Sequence, residues 1–182
     1  SHAQSLCAAN KVKLQVLGSG GPELDDQRAS TSYLIWINEQ ASVLIDAGSG
    51  SSLNFEKSSA KFEDLQAIVF SHFHVDHSAD FPAYIKGSFF TPRQNDLAVF
   101  GPEANAIMPS TTEFVEKLFG DKAAFSYLQN FINPEQTSQY HLRPHNVPLA
   151  THTIQHYNLT DNLSLSAIPI HHGPLPALAW RV

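Results

Sequence analysis

Ser71-His72-Phe73-His74-Val75-Asp76-His77 follows directly on the apolar run Ala67-Ile68-Val69-Phe70. Imidazole and carboxylate donors suit borderline-soft divalent metals, of which zinc is the commonest. The apolar run reads as a strand, Ala67 to Ser71, buried on both faces. On extended backbone, side chains at i and i+2 point the same way, so His72 and His74 can grip one ion together. A turn into a helix at Asp76-His77 aims those two groups at a second point close by. That arrangement suits a pair of metals sharing a bridging hydroxide. The plain alternative is a histidine-rich loop without metal, since the chain has 10 His. The order His-x-His-x-Asp-His after a buried strand decides for the metal.

Upstream, Val12 to Leu17 reads as a strand ending in the Gly-rich turn Gly18-Ser19-Gly20-Gly21. Tyr33 to Ile37 and Ser42 to Asp46 are strand-like, with Asn38-Glu39-Gln40 as the hairpin turn between them. Gly48 to Ser52 reads as a flexible connector. Downstream, Ser78 to Lys86 reads as a short helix stopped near Gly87. Leu97 to Phe100 reads as a strand closed by Gly101-Pro102. The spacing of Phe114, Val115, Leu118 and Phe119 predicts a helix over 112–119, capped by Thr111 and stopped by Gly120. Ala123 to Ile132 is also helical in pattern. Thr151 to Leu159 and Leu163 to Ile170 form a hairpin turning at Thr160-Asp161-Asn162. Strands and helices in this order fit a layered α/β domain.

A chain of 182 residues with 42% hydrophobic residues can bury a core and is most simply one domain. No apolar run reaches the ~18 residues of a membrane span. The formal charge is −6 with 11 Lys and Arg, and no basic run occurs. Proteins that grip nucleic-acid backbones usually carry a basic stripe, so nucleic acid is the less favoured partner. The single Cys7 cannot form an internal disulfide and reads as a non-ligand thiol. Ser1 and Ala3 resemble the tail of a secretory cleavage site, which points to a periplasmic or secreted protein; a tag scar, and a cytoplasmic protein, is the alternative.

These pieces together resemble the metallo-β-lactamase superfamily. The His cluster resembles its metal signature. Leu17-Gly18-Ser19-Gly20-Gly21-Pro22 looks like the loop after its first strand, and Leu44-Ile45-Asp46-Ala47-Gly48 like its Asp-bearing strand end. His171-His172-Gly173-Pro174, followed by 177–182, looks like a further ligand segment. Within the superfamily the chain is most similar to the tRNase Z, arylsulfatase and phosphodiesterase branch. The resemblance implies an α/β fold, the αββα sandwich, incomplete at the C-terminus. Residues 1–10 then form a tail, and 11–182 the N-terminal portion of a single domain of this fold.

The resemblance also implies site roles. His72, His74 and His172 become ligands of one metal, and Asp76 and His77 of a second, with Asp76 also the candidate catalytic side chain. His172 is chosen because the ligand stands immediately before Gly-Pro; His171 is then second shell or solvent exposed. Asp46 either accepts the second N–H of a ligand histidine or caps the Gly48 turn. The cofactor implied is Zn2+, two in a complete domain, with Mn2+ or iron as ions the same donors accept. The activity implied is hydrolysis of a phosphodiester, sulfate or similar ester by a metal-bound hydroxide. Two rival readings stand beside it: a tRNase Z-like endonuclease on precursor tRNA, and a non-catalytic metal-binding domain or inactive fragment. His141, His145, His152 and His156 read as a polar sheet face or loop, Trp36 and Trp180 as core, and Arg28 and Arg181 as salt-bridge partners.

The pattern breaks at the end. The related families continue with a Gly-Asp-Thr-like segment whose Asp bridges the metals, and with a later His; neither occurs in these residues. The expectation is therefore a fragment, completed by a C-terminal segment or by a homo-oligomer, and acting on a small anionic or ester substrate with no membrane partner.

Overall fold

In the computed structural model, which describes residues 12–182, three antiparallel strands come first: β1 (Val12–Gly18), β2 (Ser32–Ile37) and β3 (Gln40–Ile45). Asn38 and Glu39 both take positive φ, 49° and 65°, the backbone of a tight hairpin turn whose twist matches its strands. After α1 (Ser51–Lys57) the sheet continues with parallel strands: β4 (Ala67–Val69), β5 (Leu97–Pro102) and β6 (Leu142–Val147). Between them lie α2 (Val75–Ser78), α3 (Phe81–Ser88) and α4 (Thr111–Phe119). The six strands run in the order β1-β2-β3-β4-β5-β6. A second antiparallel sheet holds β7 (Gln155–Thr160), β8 (Leu163–Ile170) and β9 (Ala177–Arg181).

Strand parity sorts the core. Leu44, Ile68 and Phe70 point to the helices and pack with Phe81, Ile85 and Phe119. Val43, Ala67, Val69 and Phe100 point the other way and pack with Leu163 and Leu165 of the second sheet. This is why the run at 67–70 has no polar member: β4 lies between both layers, and parallel strands covered on both faces are apolar throughout. The described residues therefore build helix, sheet and sheet in layers. Among the described residues, β1 leaves Val12, Leu14 and Val16 59%, 63% and 54% exposed.

Several local expectations are corrected. Gly48 to Ser52 is not a connector throughout, since α1 begins at Ser51. The helix expected over 78–86 begins later, at Phe81, and runs through Gly87 to Ser88, while the turn into a helix at Asp76-His77 is the separate short helix Val75–Ser78. The cap of α4 is Ser110, in a capping box with Glu113, rather than Thr111. The expected helix at Ala123 to Ile132 is a 3-10 helix, Ser126–Phe131. The strand-to-strand turn near Thr160 stands as expected. Cys7 and the cleavage-site reading at Ser1 and Ala3 lie outside the described residues.

Candidate metal centre

The site forms where β3, β4 and β8 end. β3 closes with Asp46 in the left-handed region, φ 58°, a conformation that Asp tolerates better than most residues. The turn swings its carboxylate under the segment following β4. Gly48 continues this path: a Cβ there would collide with the Asp76 carbonyl, so the two backbones can approach only at a glycine. Ala47 N–H donates to the His77 carbonyl at 2.7 Å, and Asp80 N–H donates to the Ala47 carbonyl at 2.9 Å.

Asp46 is buried and fully engaged. Its Oδ1 accepts from Ser71 N–H at 2.8 Å. Its Oδ2 accepts from Ser71 Oγ at 2.7 Å and from His77 Nδ1 at 2.7 Å. Of the two readings left open for Asp46, the geometry is that of a carboxylate orienting a histidine. His77 Nε2 then faces Asp76 Oδ2, 3.4 Å away. Burial works against the charged form of His77, but the hydrogen bond and charge of Asp46, with Asp76 beyond, outweigh it and the pKa is raised.

His72, His74 and His172 come together from two sheets. One ring nitrogen of each lies within 4.8 Å of the others. Ring centroids are 4.6 Å apart for His72 and His74, 4.6 Å for His72 and His172, and 5.3 Å for His74 and His172. His72 Nε2 and His74 Nδ1 stand 3.0 Å apart. Ligands 2.0–2.1 Å from a tetrahedral zinc lie roughly 3.3 Å from one another, so the group needs little movement to fit such an ion. Burial and the neighbouring imidazoles of His77, His74 and His172 pull the His72 pKa down to about 4, which leaves a neutral ring with a lone pair to offer. The ring of His77 sits 4.1 Å from that of His72, so the Asp76-His77 pair adjoins the three-histidine group.

His171 is exposed and outside the group. His145 stacks on Phe100 at 4.6 Å, His156 meets Ser166 at 2.9 Å, and His141 meets the Gln136 carbonyl at 3.0 Å. None joins the three-histidine group. Trp180 spans the two sheets, donating Nε1–H to the Phe70 carbonyl at 2.9 Å. Arg28 pairs with Asp26 at 3.2 Å beside a cleft of about 360 Å³ whose lining includes Ser49, Val75 and Asp76. The residue that sequence reasoning missed is Ser71, which touches Asp46 and lies 3.0 Å from His72 Nδ1. A hydroxyl flanking the first candidate ligand was the only signal for it.

Comparison with known proteins gives the class. A family model described as the metallo-beta-lactamase superfamily matches residues 25–93. The metallo-beta-lactamase fold protein YhfI from Bacillus subtilis superposes with a TM-score of 0.61 at 18% identity, covering 93% of this chain and 56% of that one. Residues 25–93 match that family model, and the chain has the metallo-β-lactamase fold. At the level of sequence the chain is similar to ribonuclease Z proteins. That of Clostridium novyi is 28% identical over 171 residues, 93% of this chain and 50% of its own. That of Picrophilus torridus is 30% identical over 110 residues, 60% of this chain and 33% of its own. Human tRNase Z, short form, shares the fold with a TM-score of 0.66 at 18% identity, over 92% of this chain and 63% of that one. The chain thus spans a third to a half of the length of these two curated relatives. The family implies a divalent metal, and the histidine group is compatible with one.

Proposed function

We propose that the protein is a metal-dependent hydrolase of phosphodiester bonds in RNA, a ribonuclease Z-like enzyme. The observation that carries this reading is the convergence of His72, His74 and His172 beside Asp76 and His77, in a chain whose curated relatives are ribonuclease Z. His72, His74 and His172 would hold one ion, and Asp76 and His77 would contribute to a second. Zn2+ is the ion proposed; Mn2+ and iron accept the same donors. When bound, the cations supply positive charge to the substrate oxygens and acidify water. The chain's own residues do the rest. Asp46 holds the Nδ1 proton of His77, so that Nε2 stays aimed at Asp76. The Asp76 carboxylate borders the cleft and is the acceptor proposed for the proton of the attacking water.

A second reading, a small phosphodiester or sulfate ester as substrate, is favoured by one observation. The chain carries a net charge of −6 and only 11 Lys and Arg, against the basic surface that RNA-backbone binding usually employs. An exported, periplasmic protein would accord with this second reading.

Full-length protein assayed on precursor tRNA beside a chromogenic phosphodiester separates the two. Cleavage of the RNA is the expected result; turnover of the small diester alone transfers the proposal to the second reading. The double variant H72A/H74A should lose both bound metal and turnover. Retained turnover in that variant would end the metal reading.

A further inference from the structure

The hydroxyl of Ser71 stands between the two groups of candidate ligands and has one proton to give. Its Oγ lies 2.7 Å from Asp46 Oδ2, 3.0 Å from His72 Nδ1 and 3.3 Å from His77 Nδ1. The buried Asp46 carboxylate is the strongest acceptor of the three and takes the hydroxyl proton in a charge-assisted bond. The same carboxylate oxygen also holds the Nδ1 proton of His77, at 2.7 Å. Toward His72, Ser71 Oγ is left with lone pairs only. The Nδ1 of His72 must therefore carry a proton, because an unprotonated nitrogen there would set lone pair against lone pair. Its other nitrogen, Nε2, keeps a free lone pair 3.0 Å from His74 Nδ1.

We propose that Ser71 is a positioning residue for the three-histidine site: its hydroxyl fixes His72 as the Nδ1–H tautomer and ties that ring to the carboxylate that orients His77. The inference rests on the metal reading above and deepens it. One buried carboxylate then governs rings on both sides of the centre, His77 directly and His72 through a serine. Ser71 is itself fixed, since its own N–H is held by Asp46 Oδ1 at 2.8 Å. Partners of this kind behind a ligand histidine set its tautomer and raise its basicity.

The first measurement needs no variant. Long-range proton–nitrogen NMR of the metal-free chain, at a pH where its rings are neutral, should show His72 as the Nδ1–H form; the Nε2–H form overturns the proposal. The second is a Co2+ titration followed by visible absorption. S71A should bind about tenfold to hundredfold more weakly with a shifted band, while S71T, which keeps the hydroxyl, stays within about twofold of the parent. Equal affinity of S71A and parent, or S71T as weak as S71A, also overturns it. A parent chain that takes up no Co2+ counts against the metal reading instead, and the tautomer then decides the role of Ser71 by itself.

Discussion

The three histidines of the candidate site arrive on two supports of different stiffness. His72 and His74 lie on the segment after β4, which is clamped from several sides. Phe70 N–H donates to the Phe100 carbonyl at 2.8 Å, Ser78 Oγ donates to the His74 carbonyl at 2.9 Å, and Asp46 reaches in from below. His172 lies on the segment after β8, exposed from Ile170 to Pro174. That loop turns at Gly173, φ 58°, and is held by Leu175 N–H to the His172 carbonyl at 3.2 Å and by Asn105 Nδ2 to the Pro174 carbonyl at 2.7 Å. One side of the centre is thus built into the packed first sheet. The other is delivered by the second sheet, on a loop with few buried contacts and hence a lower cost of local opening.

The contrast breaks most easily at Asp46. Asp46→Ala removes the acceptor of three hydrogen bonds and leaves the donors of Ser71 and His77 without their partner. Removing one member of a buried pair of this kind costs about 3–5 kcal/mol. Urea unfolding of the metal-free chain should show a loss of that size. A loss below about 1 kcal/mol would mean that the first segment is no better clamped than an ordinary surface turn.

Trp180→Phe tests the joint between the supports. It keeps most of the apolar contact with Phe100 but deletes the bond to the Phe70 carbonyl. The cost expected is about 1 kcal/mol. Hydrogen exchange should locate it: amides of β8 and β9 lose protection, while those of β4 and α2 keep theirs. Equal losses in both segments would show that the two sheets open as one unit.

The same contrast governs what the sequence disclosed. His72, His74, Asp76 and His77 sit on one short run after one buried strand, so local pattern sufficed. Asp46 was visible as a strand-end carboxylate that could serve a ligand histidine or cap the turn, but the choice of His77 as its partner depends on a left-handed turn and on Gly48 meeting the Asp76 backbone. α1 was hidden for a related reason. Its Gly-Ser start reads as a connector, yet Ser52 N–H is held at 3.0 Å by Asp80, a residue 28 positions away. β6 was hidden because Arg143, Pro144, His145 and Asn146 lack strand character, and Pro144 argues against an inner strand. Pairing along the whole of β5 makes it one, at the sheet edge where proline is tolerated.

A smaller, pH-dependent effect should also separate the supports. The folded pKa of His72, about 4, lies below the unfolded value of 6.5, so the unfolded chain takes up the proton first. The stability that the neutral ring contributes is complete above pH 6.5 and is lost as pH falls toward 4. His77, with its pKa raised, has the opposite sign: its contribution is complete below 6.5 and is lost only on going higher. His145, lowered by burial, adds in the direction of His72. Denaturation midpoints of the metal-free chain should therefore fall between pH 6.5 and 4. His72→Asn should flatten the curve in part and leave the His145 share; an unchanged slope would mean that His72 is as solvated as a surface histidine.

The smallest effect on the fold belongs to His172, and it tests the delivered side of the centre. The ring is exposed and makes no contact on which the second sheet depends, so His172→Ala should change the stability of the metal-free chain by no more than about 0.5 kcal/mol. Its effect on metal should be far larger, because a site of three imidazoles reduced to two loses a ligand that the adjacent histidine does not replace: His171, one residue away, lies outside the group. Thermal melts with and without Zn2+ read both quantities on one sample. The metal-free melting temperatures of variant and parent should coincide, and the increment that Zn2+ adds in the parent should shrink in the variant. A metal-free loss comparable to that of Asp46→Ala would put His172 among the structural supports of the fold, and the difference between the two segments would then be one of exposure rather than of rigidity.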